Sequence, residues 1–310
     1  MNIDFSKKII SLAPLAGYTD LPFRSIVKRF GVDFTVSEMI SSNALVYKSK
    51  RTLKMTQKGK NENAYFVQIA GNDIDMIKRS VEILNKLDDV IGIDLNCGCP
   101  SPKVSGHGSG SSLLKDTIKL SSMIEAIKKN SNKKYTTAKV RIGFDKKIPI
   151  EIAKACQDGG ADFITVHGRT KVGGYKAPVD YDAIKDMKQS ISIPLIANGD
   201  IKDYKKAQEV LEYTKADGVT IGRGAIGNPW IFYELKNKGF KPSLEIKREI
   251  ILEHLSLMYD FYGDRGIILF RKHLHSYSKG IQNSSIFRQA VNIAETKNKL
   301  EELINSHFVN

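Results

Sequence analysis

The chain has 310 residues, 41% of them hydrophobic, which suffices for one large domain, or one large and one small, around a substantial core. No apolar run is long enough to span a bilayer, the first residues lack the apolar core of a signal peptide, and three cysteines make no disulfide framework, so a reduced, cytoplasmic protein is expected. A net charge of +14, from 48 Lys+Arg against 34 Asp+Glu, favours a polyanionic partner such as nucleic acid, although a lysine-rich proteome would give the same excess.

Eight β-like runs follow one another, beginning near Ile9, Asp33, Ala64, Ile91, Tyr135, Phe163, Pro194 and Gly218. Amphipathic helical patterns separate them. In residues 73–87 the positions Ile74, Ile77, Val81 and Leu84 mark one face, and similar patterns cover 113–129, 148–157, 181–189 and 203–213. Asp20 followed by Pro22 opens the first helix, and Gly31 closes it. The long link after the second strand, residues 40–63, is rich in Lys and Ser and reads in part as a surface excursion. Eight alternations predict a (β/α)8 TIM barrel over residues 1–240. A doubly wound sheet fits less well, because the first turn is Pro14-Leu15-Ala16-Gly17 and carries no G-x-G-x-x-G. From Ser243 onward the patterns are helical only, over 244–262, 267–279 and 287–308. A small C-terminal all-helical domain is therefore expected in residues 241–310.

In such a barrel the chemistry sits at the carboxyl ends of the strands. Reading those ends in order gives Pro14, Glu38, Gln68, Asn96 with Cys99, Lys139 with Arg141, His167 with Arg169, Asn198, and Gly222 with Arg223. Nearly every strand delivers a polar group to one rim. Residues 91–114 stand out, as a strand that ends in a thiol and runs into a long Gly- and Ser-rich loop, the floor and mobile lid of an active site. The turns Asn198-Gly199-Asp200 and Gly222-Arg223-Gly224 follow strands seven and eight, where glycines let backbone N–H groups approach a phosphate and Arg223 adds a charge-assisted partner. A metal site of Cys97, Cys99, Cys156 and His107 is disfavoured, since Cys-x-Cys lacks zinc spacing and Cys156 lies in a distant helix. No metal is expected.

Six segments, APLAGYTDLPFR (13–24), DLNCGCPSPKV (94–104), KVRIGF (139–144), TVHGRT (165–170), IANGDI (196–201) and IGRGAIGNPWIF (221–232), resemble in this order the tRNA-dihydrouridine synthases. RKHLHSY (271–277) resembles the start of that family's C-terminal helical domain, and DFYG (260–263) points to the bacterial B-type branch. The resemblance implies an FMN-bound barrel that reduces specific uridines of tRNA to 5,6-dihydrouridine, with NADPH (or NADH) as reductant. It implies that Pro14, Leu15 and Ala16 lie along the flavin, that Gln68 and Lys139 bond its ring edge, and that His167 lies near the ring and the phosphate side. Asn198, Gly199, Asp200, Gly222 and Arg223 would take the ribityl phosphate. Cys99 matches the proton donor, and Asn96 and Arg141 match substrate-facing positions.

This chemistry needs an acid that is protonated at neutral pH, which a thiol of ordinary pKa, about 8.5, provides. Lys139 shares a strand face with Arg141 and would place positive charge against the reduced flavin. The uracil must leave its stack while basic surface holds the RNA backbone. Arg271, Lys272, His275 and Lys279, near one helical face, are the candidates for that hold. Two features depart from the family. Cys97 stands where many relatives carry Met, and the SGHGSGSS loop is glycine-rich where relatives often carry Lys or Arg, so that His107 is either a substitute polar group or merely exposed. Two thiols one residue apart would share a side of an extended strand, and the turn at Gly98 and Pro100 is expected to aim only Cys99 at the pocket. A dihydroorotate-dehydrogenase-like flavoprotein acting on a free pyrimidine would not need this charge or a basic helical appendix. A catalytically silent RNA-binding protein would not need Cys99, Lys139, His167 and Arg223 together. A monomer is expected.

Overall fold

A computed structural model describes residues 2–309. Its parallel strands are β1 (Ile9–Leu12), β2 (Thr35–Val36), β3 (Ile40–Ser41), β4 (Tyr65–Ala70), β5 (Gly92–Cys97), β6 (Tyr135–Arg141), β7 (Phe163–His167), β8 (Leu195–Asn198) and β9 (Gly218–Ile221). They occupy eight barrel positions, because β2 and β3 are two pieces of one strand that both pair with β4. Thr35 faces Tyr65 but Ile40 faces Ile69, so one extra residue is accommodated between the pieces, as in a β-bulge. The Ser37 hydroxyl bridges the gap by accepting the Gln68 N–H at 2.9 Å. The ring closes between the first two positions through Asp33, whose N–H donates to Ile10 O at 2.9 Å and whose carboxylate accepts the Ile10 N–H at 2.7 Å.

Inward-facing residues change character along the axis. At the amino end Ile9, Phe34, Phe66, Phe163 and Ile196 form an apolar plug, with Phe34 and Phe66 rings 5.1 Å apart. Gly92 makes room for it, since a Cβ there would lie 2.3 Å from the Phe66 ring. Toward the carboxyl end the buried inward residues become Gln68, Asp94, Asn96, Thr137, Arg141, Thr165 and His167. The plug excludes water from below, so the polar groups can open only toward the upper rim.

Outside the strands, a second apolar layer joins them to the barrel helices. Those at Leu21–Lys28, Ile74–Asn85, Thr117–Asn130, Tyr181–Ser190 and Tyr204–Thr214 each start on an aspartate (Asp20, Asp73, Asp116, Asp180, Asp203) that accepts the N–H three residues on. Each such cap contributes roughly 1 kcal/mol. Residues 40–63 are more ordered than a surface excursion: they begin with β3 and hold short helices at Ser42–Val46 and Lys50–Met55. The expected lid carries secondary structure too. It forms a helix at Pro102–Ser105 and a 3-10 turn at Gly110–Lys115, anchored by buried Ser111, Leu113 and Leu114.

The C-terminal helices are Leu244–Tyr262, Asp264–Tyr277, Ser284–Ile293 and Lys297–His307. The expected run over 287–308 is two helices, because Ala294 leaves the helical conformation and Thr296 caps a new start by accepting the Lys299 N–H. Gly266 lets the first two helices meet closely, since a Cβ there would lie 2.3 Å from Met258 O. Together the four enclose their own core, which Ile26 and Trp230 of the barrel complete. Among the described residues no helix is long and apolar enough to cross a membrane.

Candidate active site

A cavity of 410 Å³ opens at the carboxyl ends of the strands. The barrel positions expected to meet flavin, uracil or proton line it: Pro14, Leu15 and Ala16, then Gln68, Asn96, Cys99, Lys139, Arg141 and His167, then Asn198, Gly199, Asp200, Gly222 and Arg223. The bulge in the second strand brings Met39 to the same wall, and Glu38 beside it accepts the Gly17 N–H of the β1 loop.

On the β4–β6 side a chain of hydrogen bonds has a fixed direction. Asp94 accepts from the Thr137 hydroxyl at 2.6 Å and from Gln68 Nε2 at 2.7 Å. A carboxylate can only accept, so the Gln68 amide must turn its oxygen the other way, where it accepts Asn96 Nδ2 at 2.8 Å. Asn96 Oδ1 then accepts the N–H groups of Gly98 at 3.2 Å and Cys99 at 2.9 Å. Arg141 Nε holds the Gly98 carbonyl at 2.7 Å, and its Nη1 holds Thr170 O at 3.1 Å. Asn96 and Arg141, expected to face substrate, therefore also shape the turn that carries Cys99. Burial raises the Asp94 pKa, opposed by its two hydrogen bonds and the Lys139 charge.

That turn separates the two thiols. Ile93, Leu95 and Cys97 point outward into the helix layer, and Cys97 is fully buried there. Burial and the neighbouring Cys156 thiol push its pKa well above the usual value. Cys99 leaves the strand line and lies on the pocket wall. Cys97, Cys99, Cys156 and His107 do not converge, since Cys97 and Cys156 are in the core and His107 is exposed, with its carbonyl held by Asn72 Nδ2 at 2.7 Å.

At the centre Lys139 donates to Asn198 Oδ1 at 3.2 Å. Burial and the Arg141 charge bring its pKa down to about 8, against the pull of Asp94. Burial, reinforced by Lys139, Arg141, Arg169 and Arg223, holds His167 far below its ordinary pKa and hence neutral. Its Nε2 lies 3.3 Å from Arg169 Nη1. Arg169 can only donate, which places the imidazole proton on Nδ1.

The β8–β9 side presents free backbone donors. The backbone N–H groups of Gly199, Asp200 and Gly222 have no acceptor among the described residues. Gly199 has φ 139°, and a Cβ on it would lie 2.8 Å from Val179. The Asp200 carboxylate itself is held by buried Arg169 and by Arg223 at 3.0 Å; the Arg169 hydrogen bonds come first in lowering its pKa. Tyr175, half exposed at the mouth, lies 4.2 Å below the Arg223 guanidinium. Asp94 and Tyr175 are absent from the expected site, and Arg169 is expected at the rim but given no role there. Asp94 was readable as an inward position two before Asn96, whereas Tyr175 sits in a loop without periodicity.

On the C-terminal helices the expected cations are part-exposed or exposed, and Arg271, Lys272 and His275 are tied to neutral groups. Arg271 Nη2 donates to Ala294 O at 2.7 Å, and His275 pairs with Asn292 at 2.9 Å. Lys272 donates to Gly17 O and stacks 4.8 Å over Tyr18, so it ties the helical part to the β1 loop. Of the four candidates Lys279 alone is exposed. Helical spacing placed these residues near one another, but the packed partners differ on either side.

The family model described as "Dihydrouridine synthase (Dus)" matches residues 11–310. The chain is 49% identical over 313 residues to a "Probable tRNA-dihydrouridine synthase" of Helicobacter pylori strain J99, covering 99% of this chain and 95% of that one. It is 38% identical over 304 residues to "tRNA-dihydrouridine synthase B" of Pasteurella multocida, covering 95% and 91%. Among solved structures, the old yellow enzyme homologue of Zymomonas mobilis is similar with a TM-score of 0.50 at 13% identity, covering 75% of this chain and 89% of that one. Histamine dehydrogenase from Rhizobium sp. 4-9 is similar with a TM-score of 0.53 at 10% identity, covering 80% and 48%. At these identities the two structures speak to the barrel fold alone.

Proposed function

The chain belongs to the dihydrouridine synthase family, and on that premise we propose that it is a B-type tRNA-dihydrouridine synthase that reduces uridines of tRNA with FMN and NADPH. The observation that carries the reading is the layout of one cavity: a thiol on one wall, an anion cradle on the other, and a desolvated lysine between. The residues fit the cofactor, because three unpaired backbone N–H groups and Arg223 suit a phosphate, while Lys139 and Gln68 suit a polar ring edge. When bound there, FMN reduced by NADPH supplies the hydride to the 5,6 double bond of uracil.

The chain's own residues do the rest. Cys99 Sγ gives its proton to the second carbon, and the thiolate left behind faces the Arg141 guanidinium. Lys139 offsets negative charge at the ring edge. Neutral His167 adds a hydrogen bond without adding charge to a pocket already holding Lys139, Arg141 and Arg223. Tyr175 offers an aromatic face at the mouth to a base turned out of its stack. In this reading residues 1–240 are the catalytic barrel and 241–310 help to hold the RNA, in the cytoplasm, where three free thiols are at home.

Two measurements test it. Purified protein should release FMN on denaturation, and its reduced form should be reoxidised by unmodified tRNA but not by free uridine or orotate. A strain lacking the gene should lose dihydrouridine at one or more tRNA positions; an unchanged dihydrouridine map, or turnover with free pyrimidines, would overturn the proposal.

A further inference from the structure

Arg271 and Lys272 each donate to a backbone carbonyl, which limits how freely they can reach an RNA backbone and directs attention to cations without such ties. Residues 47–60, YKSKRTLKMTQKGK, contain six cations and no acid. We propose that this segment, led by Tyr47, Lys48, Lys50 and Arg51, is an RNA-backbone-binding surface on the barrel itself, set beside the pocket mouth. The proposal rests on the reading of tRNA as substrate and names a surface for it.

Position is the first support. The segment follows β3 after a single short helix, Ser42–Val46, and the residue before β3, Met39, lines the cavity. Anything gripped there lies next to the opening.

Charge is the second. Lys48, Lys50, Arg51 and Lys60 are exposed and have no ion pair among the described residues. Elsewhere on the barrel, lysines commonly meet acids, as in Lys128–Asp162, Lys147–Asp180, Lys188–Asp217 and Lys236–Asp33. The nearest acid in sequence, Glu62, is fully buried and bound to Arg24. An unneutralised run of this kind is a favourable site for phosphates and a repulsive one without them.

The third support is rigidity. Arg24 Nη2 holds Gln57 O at 2.7 Å, Thr52 and Thr56 are buried, and Lys54 donates to Phe261 O with its ammonium 4.3 Å over the Phe261 ring. The segment is thus pinned to the barrel on one side and to the end of helix Leu244–Tyr262 on the other. Exposed Arg265, just past that helix end, extends the same surface. Tyr47, 72% exposed, supplies an aromatic plane among the cations, the combination that single-stranded RNA favours.

The test compares a triple variant, Lys48→Gln, Lys50→Gln and Arg51→Gln, with a control triple at the opposite end of the barrel, Lys7→Gln, Lys86→Gln and Lys134→Gln. Both remove three exposed charges. Affinity for unmodified tRNA is measured across a salt series, beside FMN content and NADPH oxidation. The rim triple should bind tRNA roughly 10- to 100-fold more weakly at low salt, with a salt slope lower by about two to three, near 0.9 per lost phosphate contact. FMN content and NADPH oxidation should not change, and the control triple should match wild type. Tyr47→Ala should weaken binding by about five-fold or more with no change in slope, because stacking carries no charge. If both triples behave alike, the segment is solvated surface and the proposal is wrong. If wild-type protein neither binds nor reduces tRNA, the functional reading itself fails, and that result is seen before any variant is compared.

Discussion

The barrel roof and the C-terminal helices both bury polar side chains, but they treat them in opposite ways. In the roof Thr137, Asp94, Gln68 and Asn96 each find a partner, and the sequence of donors and acceptors ends on the backbone of Cys99. Two barrel hydroxyls, of Ser11 and Ser111, lack partners, yet no charged or amide group in the roof does. In the helical part His273 is fully buried with neither ring nitrogen bonded, and His254 makes a single bond, to the Tyr277 hydroxyl at 3.1 Å. Both rings pack instead against Phe23 and Phe270. A satisfied network fixes orientation, whereas unpaired polar groups in a core cost about 1–3 kcal/mol each. The roof is therefore organised for positioning a reactive atom, while the helical core holds two buried histidines whose protonation in acid opposes its packing.

The sharpest way to break this contrast is at the thiols. Cys99→Ala should keep FMN and its reduction by NADPH but slow single-turnover reoxidation by unmodified tRNA by about 10²–10⁴-fold, the range for losing a general acid. Cys97→Ala, on the outer face of β5, should stay within a few-fold of wild type. Crippling of the second variant and not the first would reverse the assignment.

Asp94→Asn attacks the source of the directional chain. An amide at that position can donate as well as accept, so Gln68 and Asn96 are free to flip and the Cys99 turn loses its unique support. We expect tRNA-dependent reoxidation to fall by up to about 10²-fold, as a misplaced reacting group allows, with flavin content retained. Retention of full activity would show that Arg141 alone holds the turn.

On the helical side the sign of the pH effect is fixed by the histidines. Burial, with the Lys272 charge, lowers His254 to about 3; burial, with His254 and Lys272, holds His273 well below its ordinary value. The unfolded chain binds these protons near pH 6.5, so the stability is complete above that pH and is lost as pH falls from 6.5 toward 3. Trp230, the one tryptophan, lies in this core 6.2 Å from Tyr277 and reports on it. Its fluorescence should change on acidification before FMN is released; simultaneous loss would mean that the two regions unfold as one. The smallest effect is expected from His273→Leu, which removes the unpaired nitrogens and should raise stability at neutral pH by about 1 kcal/mol, read as a higher midpoint in urea.

Much of this was legible in the chain. Alternating apolar runs and helical faces, together with aspartate caps such as Asp20 and Asp73, identify the barrel because helix and strand periodicity are local properties. The rim residues were legible for the same reason, as the polar groups at the carboxyl ends of successive strands. The bulge at Ser37–Glu38–Met39 was not, since an extra residue has meaning only against the partner strand, and it appears as a register change between Thr35↔Tyr65 and Ile40↔Ile69. Nor could helical spacing reveal that Arg271 meets Ala294 while Lys272 meets Gly17. Periodicity tells which way a side chain points; what stands opposite depends on segments far away in sequence, and only the packed chain brings those together.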